Sequence, residues 1–237
     1  VRIKLHRPIP EEWKLKSVTV SHELSGKYFA SLLFCCENQT VEKIPAEKFL
    51  GIDFAMHGLG VFSTGEKAAY PMFYRRSEKK LAREQRRLSK CQKGSRNYGK
   101  QKKRVALCHE KIRNQRKDFQ HKLSTSLAEI YDAVCVEDLS LKAMAGGLHF
   151  GKGVHDNGYG QFLSMLEYKM EERGKYLIKV NRYFASSKIC SVCGKKKAEL
   201  SLSERIYYCE CGNRMDRDVN AAVNIMNEGK RIFAECA

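Results

Sequence analysis

The chain switches between stretches with a two-residue apolar period and stretches with a period of three to four. Residues 1–5 and 13–20 alternate apolar and polar side chains, and residues 28–35 form a third apolar-rich run after a turn at Ser25-Gly26. Such alternation predicts strands with one buried and one wet face. Arg2, Lys4, Lys14 and Lys16 occupy the wet face, which suits plain solvation and nucleic acid equally. Three strands cannot close a barrel, so this front segment reads as part of a module. A new unit starts near Glu47. Residues 49–54 form a short buried-strand pattern carrying one acid, Asp53. Residues 58–63, a turn at Thr64-Gly65-Glu66 and residues 68–73 extend it into a meander.

Residues 75–131 then read as a helical hairpin broken at residues 91–99. In its second arm Val105, Cys108, Ile112, Phe119, Leu123, Leu127 and Ile130 recur at helical spacing, as a core stripe does. Residues 133–139 are a second buried strand ending in acid. Glu137 shares side-chain parity with Cys135, and Asp138 points to the opposite face. Residues 141–160 are too rich in glycine for a packed element and read as a linker or a lid. A helix over 161–173 follows, with Phe162, Leu166 and Met170 on one face and Gly174 as its stop. Residues 176–180 are the next strand. The last helix, 217–227, is capped by Asp216 and carries a stripe of Val219, Ala222, Val223 and Met226.

Charge sharpens this picture. The 237 residues carry a net charge of +17, and phosphate is the abundant polyanion such a chain meets. Arg75, Arg76, Lys79, Lys80, Arg83, Arg86 and Arg87 crowd the first arm of the hairpin, and Lys111, Arg113, Arg116 and Lys117 lie on the second. These residues are candidate phosphate contacts, against the plainer reading that they keep the helices soluble. Acids are too scarce here for a surface laced with salt bridges. No apolar run approaches a membrane span and no signal peptide is visible, so an intracellular, cytoplasmic setting is expected.

Four of the ten cysteines are grouped as Cys190/Cys193 and Cys209/Cys211, and the other six are scattered. Two short pairs from two turns supply the four thiolates of a tetrahedral zinc site, with glycine after Cys193 and Cys211 where tight turns need it. With no open position the zinc is structural, and such a site contributes on the order of 10 kcal/mol to folding. The scattered cysteines point to a reducing compartment. Asp53, Glu137 and Asp218 are three acids, each on or beside an element of one core. Asp53 also fits a turn cap and Asp216 has its capping role, whereas Asp218 has no such plain task. Two magnesium ions, which take hard oxygen ligands, need such a carboxylate cluster to promote phosphodiester cleavage.

Five stretches carry a family resemblance: GIDFA at 51–55, NQRKDFQHKL at 114–123 in the basic hairpin, VEDL at 136–139, SSKICSVCG at 186–194 and CGNRMDRDVNAAVNI at 211–225. Together they resemble the RuvC-type nuclease core of the TnpB family, related to the compact type V CRISPR effectors. The resemblance implies an α/β, RNase H-like mixed sheet with helices, an inserted zinc ribbon and an N-terminal antiparallel β segment. It implies Asp53, Glu137 and Asp218 as the metal-binding triad, a guide RNA, a DNA target and magnesium-dependent cleavage. The expected divisions are a partial wedge-like segment at 1–46, a nuclease domain at 47–182 and 213–237 that includes the hairpin 75–131, and a zinc ribbon at 183–212. The front departs from the family, which carries a helical recognition domain and a complete wedge barrel upstream. The chain therefore reads as a C-terminal fragment or a miniature form. A nucleic-acid-binding accessory or regulator that does not cut, and a truncation that folds but does neither, remain the alternatives.

Overall fold

The computed structural model describes residues 4–5, 8–37, 41–55, 58–140, 156–201 and 203–236. The chain divides into two compact units, Val1–Thr40 with Tyr74–Asn114, and Val41–Phe73 with Gln115–Ala237. The long basic hairpin is thus shared between the units, whereas the sequence pattern assigned all of it to the body that holds the acids.

In the first unit, β1 (Lys14–His22) and β2 (Tyr28–Cys35) pair as an antiparallel ribbon, from Lys14↔Cys35 to His22↔Tyr28. The predicted wet and dry faces are not realised. Every residue of β1 is exposed, and Val20, Phe29 and Leu33 stand in solvent with the lysines. Two strands make one layer, and among the described residues of this unit no second layer covers either face. Lys4 and Leu5 form no strand, and residues 1–3 lie outside the described set. The turn of the ribbon is tied to a long helix: Glu23 accepts two hydrogen bonds from Arg113 Nη2, at 2.7 and 2.8 Å, and Lys27 pairs with Glu110. The hairpin comprises α1 (Phe73–Ser89) and α2 (Arg96–Ile130). Its arms are joined by Gln101 Nε2, which donates to Glu84 Oε2 at 2.8 Å and to the Glu84 carbonyl at 3.0 Å.

The second unit is built on a five-stranded mixed sheet in the order β5-β4-β3-β6-β7. The strands are β3 (Phe49–Asp53), β4 (Gly60–Phe62), β5 (Lys67–Ala68), β6 (Ala133–Glu137) and β7 (Tyr176–Val180). β3, β6 and β7 run parallel, while β4 is antiparallel to both β3 and β5. The predicted strand at 68–73 shrinks to β5, because Phe73 already opens α1. Residues 141–155 of the glycine-rich stretch lie outside the described residues. Gly158, with φ 63°, precedes α3 (Tyr159–Glu171), and Gly174, with φ 68°, ends the turn after it.

Strand parity decides what each face meets. Leu50, Ile52, Val134 and Val136 point to one side, where Leu127 and Ala128 of α2 and Phe162, Leu166 and Met170 of α3 complete a core. Ala133, Cys135, Ile178 and Val180 point to the other, against Ile225 and Phe233 of α4 (Arg217–Cys236). The predicted stripe of α4 is therefore rotated. Ala221, Ala222, Ile225 and Gly229 are buried, together with Asn220 and Asn224, and Val219, Val223 and Met226 are only half-buried. In α2, Ile112 and Leu127 are buried as predicted, but Ile130 is 53% exposed at the end of the helix.

Helix α4 comes unusually close to the sheet. A Cβ on Gly51 of β3 would lie 2.0 Å from the Ala222 carbonyl oxygen, and one on Gly229 would lie 2.2 Å from Cys135 Sγ. Glycine at both points lets helix and strand backbones approach where any side chain would hold them apart. Gly51→Val is therefore expected to destabilise the chain by about 3 kcal/mol, at the upper end for overpacking. A melting temperature lower by about 6–12 °C in thermal denaturation would register this.

Candidate functional site

The acids gather where the central strands end. The β3–β6 register runs to Ile52↔Val136, so Asp53 and Glu137 are the next pair along two adjacent parallel strands, about 4.8 Å apart. By parity both face α4, as Gly51 and Cys135 do. Helix α4 starts at Arg217, and Asp218 lies in its first turn. The polypeptide after Asp53 is held by a buried amide: Asn157 Nδ2 donates to the Gly58 carbonyl at 2.8 Å and to the Tyr159 hydroxyl at 2.7 Å, and that hydroxyl also bonds the Ala55 carbonyl.

The electrostatics show that Asp53 feels the other two acids. Burial pushes Asp53 up from the ordinary carboxylate range to about 8; the charges of Glu137 and Asp218 add to this, and Arg217 opposes it. Burial also raises Glu137, with a hydrogen bond from Ser186 Oγ to Glu137 Oε1 at 2.6 Å acting against it. Asp216 is set apart by its partners. Burial acts to raise it, but Lys67, at 3.2 Å, and the N–H groups of Asp218 and Val219, at 2.9 and 3.3 Å, hold it below its ordinary value. Asp216 therefore caps α4 and uses up two of its free N–H groups. Asp138 points away and pairs with Arg182 at 3.0 Å.

The four cysteines form the second cluster. Their sulfur atoms all lie within 4.8 Å of one another, and this is the group of ligand-type side chains, among the described residues, drawn close enough to hold an ion as it stands. The Cys190–Cys211 and Cys193–Cys209 separations are both 3.6 Å. A tetrahedral ion with metal–sulfur bonds of about 2.3 Å sets sulfurs roughly 3.8 Å apart, so the donor set fits zinc in number, softness and spacing. Burial acts to raise the Cys190 thiol, but the Cys193 and Val192 N–H groups and the Asn213 amide bring it down to about 6. An N–H from Asn213 acts to lower Cys211, yet hydrogen bonds with the neighbouring thiols push it up to about 12. Four adjacent thiolates would repel one another unless a cation lay among them. The ribbon around them is short, with β8 (Ile206–Tyr208) paired to β9 (Arg214–Asp216).

Of the candidate phosphate contacts, several have internal work. Arg83 and Arg87 lie 3.6 and 3.4 Å from the buried Glu84 carboxylate. Arg113 holds Glu23, and half-buried Arg116 packs beside Gly158. Arg75 is half-buried. Arg76, Lys79, Lys80, Arg86, Lys111 and Lys117 are exposed. Lys80 and Lys111 join Arg104 and Leu107 around a cleft of about 440 Å³ between the helical arms.

Sequence reasoning gave no role to Ser186, Asn220, Asn224 or Arg217. A signal existed for two of them, since asparagines four apart on one helix face disfavour the helix unless they have partners. Arg217 is largely covered, lies 3.7 Å from Asp218 Oδ1 and donates to the Ser201 carbonyl at 3.2 Å.

The raised Asp53 carboxyl yields a test that needs no substrate. Its proton is held more tightly in the folded chain than in the unfolded one, so stability is full below about pH 4 and is lost as pH climbs to about 8. An uncharged amide in its place would carry no such loss. In zinc-loaded protein without magnesium, Asp53→Asn is expected to melt above the parent chain, by a margin that widens from pH 6 to 8.5.

Comparison with known proteins converges on one family. Residues 33–147 match the family model described as "Probable transposase", and residues 159–225 match that of the "Cas12f1-like, TNB domain". A Streptomyces pristinaespiralis protein named "Putative RNA-guided DNA endonuclease" is 40% identical over 96% of this chain and 56% of its own length. A TnpB-like protein of Acanthamoeba polyphaga mimivirus is 32% identical over 51% of this chain and 24% of its own. The cryo-EM structure of a Cas12f1–sgRNA–target DNA complex shares the fold, with a TM-score of 0.54 at 19% identity over 89% of this chain and 55% of that one. The chain spans little more than half the length of the Streptomyces relative. Two adjoining family models, relatives aligned over almost all of this chain and a shared fold agree that the chain is similar to TnpB-type proteins.

Proposed function

We propose that this chain is the cutting portion of an RNA-guided DNA endonuclease, with Asp53, Glu137 and Asp218 as its metal-binding carboxylates. The reading is supported by Asp53 and Glu137 following the last paired residues of two adjacent parallel strands, and by the charges of Glu137 and of Asp218, in the first turn of α4, acting on Asp53. The strand order β5-β4-β3-β6-β7, with β4 antiparallel, supports an RNase H-like, RuvC-type assignment. Asp53 is raised by burial and by two neighbouring acids, with Arg217 as only partial relief, and a hard divalent cation is the partner that oxygen donors select. Two magnesium ions held there would supply an activated water and stabilise the leaving oxygen of an in-line displacement.

The chain's own groups do the rest. Arg217 brings a fixed positive charge next to Asp218 at the mouth of the site. The dipole of α4 favours negative charge at the same end. Asp216 occupies the nearest helix N–H groups, which keeps them from competing for phosphate. Ser186 fixes one oxygen of Glu137. The thiol cluster takes zinc as a structural ion, and free thiols throughout the chain suit a reducing compartment. No helix among the described residues is long and apolar enough to cross a membrane. Guide RNA and target DNA are the partners, and the exposed cations Arg76, Lys79, Lys80, Arg86, Lys111 and Lys117 are the phosphate contacts.

Two outcomes are expected. Incubated with a guide RNA, the chain should cleave matched DNA only with magnesium. Alanine at Asp53, Glu137 or Asp218 should each slow cleavage by more than about 100-fold, the ceiling for changes behind the metal ligands. Salt-sensitive binding without cleavage under any guide would overturn the assignment in favour of a binding accessory. Metal analysis should find one zinc per chain, and Cys190→Ser should lose it together with the cooperative melting of the ribbon.

A further inference from the structure

Glu137 ends a central strand, and a short side chain there has free rotation unless something outside the strand holds it. The holder is Ser186, whose hydroxyl donates to Glu137 Oε1 at 2.6 Å. Ser186 is 6% exposed and lies on the segment that leaves β7 for the first cysteine pair. That segment is in turn clamped by two buried amides of α4. Asn224 Nδ2 donates to the Ser186 carbonyl at 2.7 Å and to the Ile189 carbonyl at 2.6 Å. Asn220 Nδ2 donates to the same Ile189 carbonyl at 2.7 Å, and Asn220 Oδ1 accepts the Ser191 N–H at 3.0 Å. Between Ile189 and Ser191 sits Cys190, the buried member of the thiol cluster.

We propose that Ser186 is a positioning residue that acts through Glu137, and that Asn224 and Asn220 anchor it to the loop opening the thiol cluster. This inference rests on the reading of Asp53, Glu137 and Asp218 as a divalent-cation site. The physical reason is the burial of the carboxylate. A partly covered carboxylate with one oxygen bonded by a hydroxyl keeps the other oxygen pointed in a defined direction, and binding a cation then costs less reorganisation. The same helix supplies Asp218 at its first turn and, two and six residues later, the two asparagines. Movement of the thiol loop therefore bears on two of the three acids together. A serine placed for packing alone would need no partner on Glu137, and asparagines placed for packing alone would not both reach the carbonyl of residue 189.

The test is calorimetric titration of magnesium alone into the zinc-loaded full chain, with thermal melting run in parallel. Ser186→Ala should raise the magnesium Kd by about tenfold, as loss of a partner behind a metal ligand does. Ser186→Thr, which keeps the hydroxyl, should return it to within about threefold of the parent. In a Glu137→Gln background Ser186→Ala should change the affinity no further, because the two act as one unit. Should Ser186→Ala not fold, Asn224→Ala is the second arm, with a weaker affinity expected in the same direction. Parent-like affinity in Ser186→Ala, or in Asn224→Ala where that arm is used, overturns this inference while the cation site stands. A parent chain that takes up no magnesium overturns the cation site and this inference with it.

Discussion

The structure depends on how closely helix α4 can lie against the central sheet. Gly51 and Gly229 are the contact points, and a Cβ at either would meet atoms about 2 Å away. With that contact made, the buried stripe of Ala221, Ala222 and Ile225 covers the same sheet face that carries Cys135. The first turn of the helix then reaches the ends of β3 and β6. Residues separated by 84 positions in one case and 81 in the next come to share one electrostatic environment. A helix held one side chain farther out would still be amphipathic and still be capped by Asp216, but its Asp218 would stand clear of the strands.

Both clusters in this unit are unbalanced in charge, and in the same sense. Around Asp53, burial and neighbouring acids favour the protonated form, with Arg217 as partial relief. Around Cys190, one thiol is pulled towards ionisation while Cys211 is pushed away from it. Ordinary ion pairs elsewhere on the chain, such as Arg113 with Glu23, show no such conflict because each charge has its opposite. Like charges gathered in a covered place cost free energy that the fold must offset, and a bound cation removes the cost. The hard oxygen set and the soft sulfur set select different cations for that purpose. One loop, residues 186–191, touches both clusters through Ser186 and Cys190, so they are parts of one hydrogen-bonded frame.

Much of this was legible along the chain. Strands at 14–22, 28–35, 49–53, 133–137 and 176–180 follow from apolar runs bounded by turn residues, and Gly174 stops its helix where the pattern placed a stop. The cysteine pairs were readable because metal ligands must come at short, fixed spacings. What failed depended on neighbours from elsewhere. Alternation in β1 implied a covered face, but burial needs a second layer, and period-two patterning says nothing of whether one is present. The stripe of α4 was drawn through Val219, Val223 and Met226 because apolar residues are the ordinary core. The true inward face includes Asn220 and Asn224, made acceptable by the backbone carbonyls of residues 186 and 189. The basic hairpin looked uniform in sequence, yet Arg83, Arg87 and Arg113 are engaged by acids within the protein.

The sequence by itself determined the local grammar of this protein: which segments form strands and helices, which end in acids, which cysteines are paired, and the family whose motifs they compose. These are set by short-range spacing, where a residue's neighbours in the chain are also its neighbours in space. Only the tertiary structure decided that Asp53 and Glu137 stand side by side on the α4 face, that Ser186 holds Glu137, and that Arg217 lies near Asp218. Those facts arise from the register of parallel strands and the depth of one helix on a sheet. Both are fixed by packing between segments far apart in the chain, which no local pattern encodes.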